Sequence, residues 1–330
     1  MPATLPFLTA NSFMGLAAET TYGVAASIST FTPVGSPKVT PGVKWLDDSD
    51  FRGSPVMHYD QVQGVFNAQY DHKVFTYTDV YPNILRAALG STDTVASVGG
   101  GQYTHTIGLI NSPNTGSQPP SYTIVNDSVD NTYQLTASRL DSLSVAFTAD
   151  AAVENTVTWR SNAASVVASV SNAGAESTQH LIPAWNCAAS IGGSTVTVVE
   201  SVQLDIKRNT SQIYTLGSQS AISNFAGPLV VEGKATFVMA AGITNSYYAN
   251  ALVRDQQQII LSLIDPQTGY FINYTMSACQ LEAPIVNQGK AYLTLDTNFV
   301  AVANTTDAIA GYGGYSPIKC MVQNNISTAY

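Results

Sequence analysis

Two hydrophobic patterns meet in residues 60–90. From 61 to 70, apolar or small residues alternate with polar ones, and this period of two predicts a strand with one face suited to a core. A charged turn is predicted at residues 71–73. Beyond it, Pro82 suits the first turn of a helix, an apolar stripe follows, and Gly90 is a natural C-terminal stop. The pattern therefore predicts a strand followed by a short helix that covers a sheet.

The second half of the chain repeats this order of elements. Residues 62–68 resemble residues 231–237, and a short helix is predicted after each, the second over residues 244–253. We interpret the similarity as an internal duplication. The sequence thus predicts an all-β protein with short helices. Its expected architecture is two tandem antiparallel β-sandwich or barrel domains, each with a flanking short helix.

Stretches without a regular pattern give the expected boundaries. Residues 1–23 are predicted to form an N-terminal arm that docks on a neighbour. Residues 24–165 form the first β-domain, 166–182 a linker of small polar residues, and 183–330 the second β-domain. Within the first domain, the acidic segment 41–60 is predicted to be a long loop, and loops of that length are usually functional.

Composition and charge narrow the range of functions. Charged residues make up only 11% of the chain, and 22 acids against 13 bases give a net charge of −9. Surfaces that bind nucleic acid tightly carry clustered Lys and Arg, so such a surface is not expected. A surface past which nucleic acid slides without binding remains compatible with this charge.

No motif for catalysis or metal binding is present. The three cysteines are widely spaced and outside any CxxC or Cys/His cluster, so free buried thiols are expected rather than a zinc site or a disulfide. His105 lies in a Thr-rich strand, where a structural role is expected. The N-terminal segment lacks bases before its apolar residues, and no apolar run is long enough to span a membrane. We therefore expect no enzymatic activity, no cofactor and no metal.

Several short motifs, taken in order, resemble the tail tube proteins (major tail proteins) of bacteriophages with long non-contractile tails. They cover most of the chain, and their order carries the resemblance more than any one of them. The motifs are GLAAETTYG at 15–23, Arg52-Gly53 in the long loop, GVFNAQY at 64–70, the helix ending Leu89-Gly90, YTHT at 103–106 and SRLDSL at 138–143.

The resemblance implies a virion protein that is assembled in the host cytoplasm and polymerises with itself. In that family six small β-domains close a ring, and stacked rings form a tube through which DNA passes as transient cargo without sticking. With two domains per chain, a pseudo-sixfold ring of three chains is favoured over a ring of six. The tape measure, tail terminator and tail tip proteins are the further partners that the resemblance implies, and no membrane is involved.

The resemblance also suggests site residues. Acids that line the tube would repel phosphate and offer no counterion-releasing contact. The candidates for this lining are Asp141, Asp150, Glu154, Glu232 and Asp296. The candidates for contacts between stacked rings, in the long loop and the arm, are Trp45, Asp47, Asp48, Asp50, Arg52, Leu16 and Tyr22.

Two other classes of protein remain open from the residues alone. A capsid decoration or adhesin-like β-sandwich of the virion would share the composition but would bind an outside partner instead of polymerising. A carbohydrate-active β-sandwich enzyme would need paired carboxylates that face a cleft, and the sequence gives no means to pair them.

Overall fold

In a computed structural model of the chain, the described residues are 8–91, 93–111, 116–171, 176–177, 179–239, 256–282, 284–311 and 314–330. They form twenty-one strands and one α-helix, and the 3₁₀ turns Thr9–Asn11 and Ala184–Asn186. In chain order the elements are β1 Phe13–Ala18, β2 Thr30–Thr32, β3 Gly35–Asp48, β4 Asp60–Phe75, α1 Tyr81–Leu89, β5 Thr94–Gly99, β6 Gln102–Gly108, β7 Tyr122–Asp127, β8 Thr132–Thr148, β9 Glu154–Ser161, β10 Ser165–Val167, β11 Cys187–Ile191, β12 Ser194–Val196, β13 Val199–Lys207, β14 Ser211–Ile213, β15 Ser223–Phe225, β16 Val230–Val238, β17 Gln256–Ile264, β18 Phe271–Leu281, β19 Ile285–Asn287, β20 Thr294–Ala301 and β21 Lys319–Asn324.

The strand and helix predicted in residues 60–90 are confirmed as β4 and α1. Gly90 takes the left-handed conformation with φ of 91°, and its N–H donates to the Arg86 carbonyl, which ends the helix. The turn predicted at residues 71–73 is wrong. The alternation continues through them, with His72 and Val74 buried and Lys73 exposed, so β4 runs on to Phe75.

The loop predicted over residues 41–60 is also mostly wrong. Residues 41–48 belong to β3, which pairs antiparallel with β4, and only residues 49–59 connect the two strands. Much of this hairpin is exposed on both faces, so it shows no alternation from which a strand could be predicted. We call residues 49–59 the hairpin tip.

The main sheet runs through both halves of the chain, and all its neighbouring strands are antiparallel. Its order is β3–β4–β9–β8–β13–β16–β20. The two halves meet where residues 142–148 of β8 pair with residues 201–207 of β13. Of the predicted linker, residues 166–167 pair with β8 as the end of β10.

Two further layers share strands with the main sheet. The N-terminal half of β8 pairs with β7 and β10, and β7 continues to β1 and β2. In the second half, β18 pairs with β17 on one edge and with β21 and then β20 on the other. Beyond these, β21 leads to β6 and β5, and β17 to β11 and β12.

The main sheet is open at two edges. The outer edge of β3, which contains Pro37 and Pro41, has no strand partner among the described residues. At the other edge, Glu282 and the strand β19 pair with β20 on one side only within the same described set. Proline removes a ladder donor and is found in sheets mainly on edge strands, as it is here.

A single apolar core lies between the main sheet, the further layers and α1. Its largest buried side chain is Trp159, whose Nε1 donates to His72 Nε2 at 3.1 Å and whose ring packs edge-on against Tyr122. The Tyr274 hydroxyl donates to the Tyr81 hydroxyl at 2.8 Å and so joins β18 to α1. One core therefore serves both halves of the chain.

Two predictions about flexible segments need further correction or fall outside the structure. Residues 13–18, predicted in an arm, form β1 between β2 and β7, because their apolar side chains are buried in the chain's own core. The helix predicted at 244–253 lies outside the described residues. The prediction of two tandem domains stays a prediction.

Candidate functional site: the polar face of the main sheet

One face of the main sheet is polar across all its strands. Along β9, Val157 and Trp159 point into the core, while Thr156, Thr158 and Arg160 point away from it. The same alternation in the neighbouring strands aligns their polar side chains on this side. We call this surface the polar face. Its charged members are the bases Lys38, Lys73, Arg160, Lys207 and Lys234, and the acids Asp71, Asp141, Glu154, Asp205, Glu232, Glu282 and Asp296.

Ion pairs between neighbouring strands tie these charges together. Lys73 Nζ lies 2.6 Å from Glu154 Oε1 and joins β4 to β9. Lys207 Nζ lies 2.5 Å from Glu232 Oε1 and joins β13 to β16. A third ion pair, between Lys234 and Asp296, joins β16 to β20. Bases and acids of the polar face are therefore intermixed rather than segregated.

The third pair shows how the face sets its charge states. Lys234 Nζ lies 2.9 Å from Asp296 Oδ2, and the Thr236 hydroxyl donates to Asp296 Oδ1 at 2.8 Å. Partial burial disfavours the charged form of Asp296, but these two hydrogen bonds outweigh it and hold its pKa below the ordinary value. In the pair between Lys207 and Glu232, the hydrogen bond raises the pKa of the lysine. In both pairs the contact thus favours the charged form, of Asp296 in one and of Lys207 in the other.

Hydroxyls and amides satisfy other carboxylates of the polar face. The Thr158 hydroxyl donates to Asp71 Oδ1 at 2.9 Å, and the Gln69 amide donates to the same carboxylate. The Gln203 amide donates to Asp205 in the same manner. Such contacts are mutual within the face and leave few free donors for an incoming anion.

Four of the five acids predicted to line a tube are brought together here. Glu154, Glu232 and Asp296 lie on the polar face, each paired with a lysine. Asp141 lies at its margin, with Oδ2 3.3 Å from Arg160 Nε and Oδ1 accepting from the backbone N–H of Thr210 at 2.7 Å. Asp150 is exposed in the turn between β8 and β9.

The residues predicted for ring contacts in the loop lie together on the projecting hairpin. Arg52 forms an ion pair with Asp48 and stacks 4.9 Å from the centroid of the Tyr59 ring. Asp47 accepts a hydrogen bond from Gln61, and Trp45 is 55% exposed. Asp50 is exposed beside them. Sequence reasoning missed the apolar character of the hairpin tip, where Phe51, Val56 and Met57 are all exposed.

The two arm residues have internal roles. Leu16 is only 1% exposed in β1 and belongs to the core, so its side chain is not available to a neighbour. Tyr22 lies beneath Arg139, with the guanidinium 5.2 Å from the ring centroid, and its hydroxyl accepts from the backbone N–H of Asn224 at 2.5 Å. The GLAAETTYG motif thus anchors one part of the chain to another.

Sequence reasoning missed the buried charges that hold this motif. The Glu19 carboxylate accepts from the backbone N–H groups of Gly23 and Ala137 and from the hydroxyls of Ser121 and Thr123, at 2.6 to 3.1 Å. Glu19 itself was visible in the sequence, within the GLAAETTYG motif. A single charge in sequence nevertheless reads as a surface residue.

Arg208 makes a similar link between the halves. Its guanidinium donates to the carbonyls of Ala88 at 2.7 Å and Leu89 at 2.9 Å, at the C-terminal end of α1. Burial lowers its pKa to about 10, so it remains charged at neutral pH. A cation at this position suits the negative end of the helix dipole. Arg208, the residue that follows β13, therefore binds the second half of the chain to α1 in the first half.

Chemistry of other kinds finds no support in the described part of the chain. No group of three or more His, Cys, Asp or Glu residues there could hold a metal ion. Cys187, Cys279 and Cys320 are free thiols. His105 is buried, and its ring nitrogens contact Asp93, Asn324 and the Ile326 carbonyl. Within the same residues, no helix has both the length and the apolar character needed to cross a membrane.

The described residues thus combine open sheet edges, exposed apolar side chains at a hairpin tip and an extended polar face. The model of the phage tail tube protein family matches residues 9–301. The chain belongs to that family and is a component of the virion tail, as the resemblance of its motifs predicted. No curated protein matches the chain.

Proposed function

We propose that this chain polymerises into stacked rings that form the phage tail tube and that its polar face lines the conduit for DNA during ejection into the host. The observation that carries the proposal is one polar face that extends across both halves of the chain to two open sheet edges. Closing a sheet on itself satisfies such edges, and strand tilt and stagger then set the barrel diameter.

Strand order supports the duplication behind a pseudo-sixfold ring. In the first half, β4 pairs with β9, and β9 with β8. In the second half, β16 pairs with β20, and β20 with β18 and β19. The first strand of each half of the main sheet is β3 beside β4 and β13 beside β16. We infer that β3 to β9 and β13 to β20 are two versions of one domain.

The pairing of β8 with β13, which we call the internal junction, suggests how neighbouring chains contact each other. Within the chain, the first domain presents residues 142–148 of β8 to β13 of the second. In the second domain the matching strand is β19, whose outer edge has no strand partner among the described residues, and the counterpart of β13 is β3. We infer that β19 of one chain pairs with β3 of the next, so that three chains close a ring.

The internal junction also gives a register. At the internal junction Val145 lies opposite Leu204. Val145 pairs with Asn155, which lies four residues before the buried Trp159 of β9. Val286 pairs with Leu295, which lies four residues before the buried Phe299 of β20. Val286 therefore corresponds to Val145. Val39 lies opposite Tyr70, which pairs with Trp159. Leu204 lies opposite Gly233, which pairs with Phe299, so Val39 corresponds to Leu204. Val286 of one chain is therefore expected to lie opposite Val39 of the next.

A pair of cysteines tests this register and the ring size together. The variant Val39→Cys/Val286→Cys is expected to form disulfides between chains, because directly opposed strand residues have Cβ atoms about 4.5–5.5 Å apart, close to disulfide geometry. On non-reducing gels the cross-linked species should end at three chains. Each single-cysteine variant and the wild-type chain, which keeps its own three cysteines, serve as controls.

Other outcomes of that experiment are equally informative. Cross-links that extend to six chains would contradict the three-chain ring, and double-variant chains that behave like the controls would contradict the register. Electron microscopy of the wild-type chain at rising concentration tests the proposed function itself. Hollow tubes or stacked rings are expected, whereas discrete particles that never polymerise would favour the alternative of a capsid decoration or adhesin-like protein.

We propose that the hairpin tip makes the contact between rings, with Trp45, Asp47, Asp48, Asp50 and Arg52 shaping it. Support comes from its position at one end of the main sheet and from apolar side chains that its own chain leaves exposed. Isolated exposed apolar residues are common, but a group of them on a projecting hairpin is typical of an interaction site. Residues 1–12 remain a proposed second contact.

Replacing the apolar tip should separate stacking from ring closure. The variant Phe51→Ser/Val56→Ser/Met57→Ser is expected to keep three-chain rings but to lose tubes, because it removes apolar contact area only at the end of the sheet. Electron microscopy and sedimentation measure both. Val98→Ser is the control, since Val98 in β5 is 54% exposed, as Val56 is. Unchanged tubes in the tip variant would rule out this role.

Family membership supports a structural role, and we propose neither catalysis nor a cofactor. The tape measure, tail terminator and tail tip proteins are proposed as partners at the ends and in the lumen of the tube. For passing DNA, the polar face would offer a mixed lining in which acids outnumber bases and three of the expected acids are paired with lysines.

A further inference from the structure

Four of the five bases of the polar face lie next to carboxylates. Lys73, Lys207 and Lys234 lie within 2.9 Å of a carboxylate on the next strand, and Arg160 lies 3.3 Å from Asp141. The fifth base, Lys38, lies opposite Asp71 in the register of β3 and β4, but no ion pair joins the two. Bases on a protein surface often extend freely into solvent, whereas these four are held in ion pairs.

We propose that these cross-strand carboxylates mask the lysines and so prevent the polar face from binding the phosphate backbone of nucleic acid. The proposal rests on the proposed function, in which this face lines the DNA conduit. Affinity for DNA arises mainly when Lys or Arg neutralises phosphates and releases their counterions. A lysine already held by a carboxylate can make that contact only by breaking its pair, and the freed carboxylate would then repel the phosphate.

The sheet itself explains why lysines are present on a face that must not hold DNA. Asp205 and Glu232 lie directly opposite each other on β13 and β16, and like charges at such positions destabilise a strand pair. Lys207 bonds Glu232 and offsets this repulsion. The lysine therefore permits a dense row of acids, and the acid keeps the lysine from phosphate. The lysine offsets the repulsion between acids, and the acid prevents the lysine from binding phosphate.

Converting the masking acids to amides should make the face bind DNA. The variant Glu154→Gln/Glu232→Gln/Asp296→Asn keeps side-chain size while freeing three lysines. Fluorescence anisotropy with a short labelled duplex is measured on the full chain, at concentrations where light scattering detects no polymer. We expect at least a tenfold gain in affinity over wild type at about 50 mM salt. The slope of log K against log salt should steepen by about 0.9 for each freed lysine.

A charge-matched variant separates masking from net charge. Asp60→Asn/Asp130→Asn/Asp150→Asn removes the same number of negative charges from exposed positions outside the polar face and should change DNA affinity much less. In the amide background, Lys73→Met, Lys207→Met and Lys234→Met together should abolish the gain. Circular dichroism checks folding, and the single variant Glu154→Gln, with about one third of the slope change, carries the test if the triple variant does not fold.

The possible outcomes distinguish masking from the proposed function. Equal affinity gains in the face variant and its charge-matched control would overturn masking, as would a gain that survives loss of the three lysines. Failure of the wild-type chain to form tubes would overturn the proposed function instead and would leave the DNA measurement on single chains intact.

Discussion

Replacing Trp159 by alanine is expected to lower the free energy of unfolding by about 3–5 kcal/mol, the usual cost of truncating a large buried aromatic side chain. Trp159 is fully buried in β9, packs edge-on against Tyr122, and donates its indole N–H to His72. The substitution leaves a cavity at the centre of the main sheet and an unpaired acceptor on His72. Urea unfolding followed by circular dichroism measures the loss.

Trp185→Ala is the matched control for this experiment. Trp185 undergoes the same truncation but is 68% exposed beside β11, so the expected change is within about 0.5 kcal/mol. Similar losses in the two variants would show that the core around β9 does not contribute as its burial implies.

Acidification should destabilise the subunit through His72. Burial disfavours the charged form of the imidazole and so lowers the pKa of His72 from the ordinary value of 6.5 to about 4. The folded protein therefore holds His72 in its neutral form. The unfolded chain binds the proton more readily, so stability is fully present above pH 6.5 and is lost as the pH falls toward 4. The difference corresponds to about 3 kcal/mol across that window.

His72→Gln should remove most of this pH dependence. Glutamine has no titrating group, and its amide oxygen can still accept from Trp159 Nε1, as His72 Nε2 does. His105 acts in the opposite direction. Although burial disfavours its charged form, contact with Asp93 raises its pKa overall, so its contribution is lost as the pH rises. Parallel pH profiles of unfolding for wild type and His72→Gln would contradict the assignment to His72.

The local elements that sequence predicts well are those with a periodic pattern and defined ends. In residues 60–90, alternation gave the strand, while Pro82 and Gly90 gave the helix and its stop, and these predictions hold. The prediction failed at residues 71–73, where a cluster of charges suggested a turn. Asp71 and Lys73 instead occupy the solvent side of β4 and are paired across the sheet.

Partners of strands could not be predicted because alternation identifies a buried face but not the neighbouring strand. The pairing of β8 with β13 and of β6 with β21 joins residues far apart in sequence. The ion pairs of the polar face depend on that register, so the sequence suggested acids for a lining but not the lysines that are paired with three of them. The amino-acid sequence shows where the acids are but not which residues they pair with.

Buried charges were unpredictable for a different reason. Glu19, Arg139 and Arg208 each form several hydrogen bonds to groups distant in sequence, and those bonds offset the cost of burial. Before the fold is known, each looks like an ordinary surface residue. The resemblance of the motifs that contain Glu19 and Arg139 pointed to the family, but it did not indicate what these side chains do.

The prolines of β3 bear on how a stock of unassembled subunits behaves inside an infected cell. Pro37 and Pro41 have no N–H to give, so another flat strand cannot form an uninterrupted ladder along this edge. Fibrils of stacked β3 strands, which would need an unbroken ladder from copy to copy, are therefore disfavoured. For unassembled subunits that wait for a growing tail, this edge is therefore a poor starting point for amyloid.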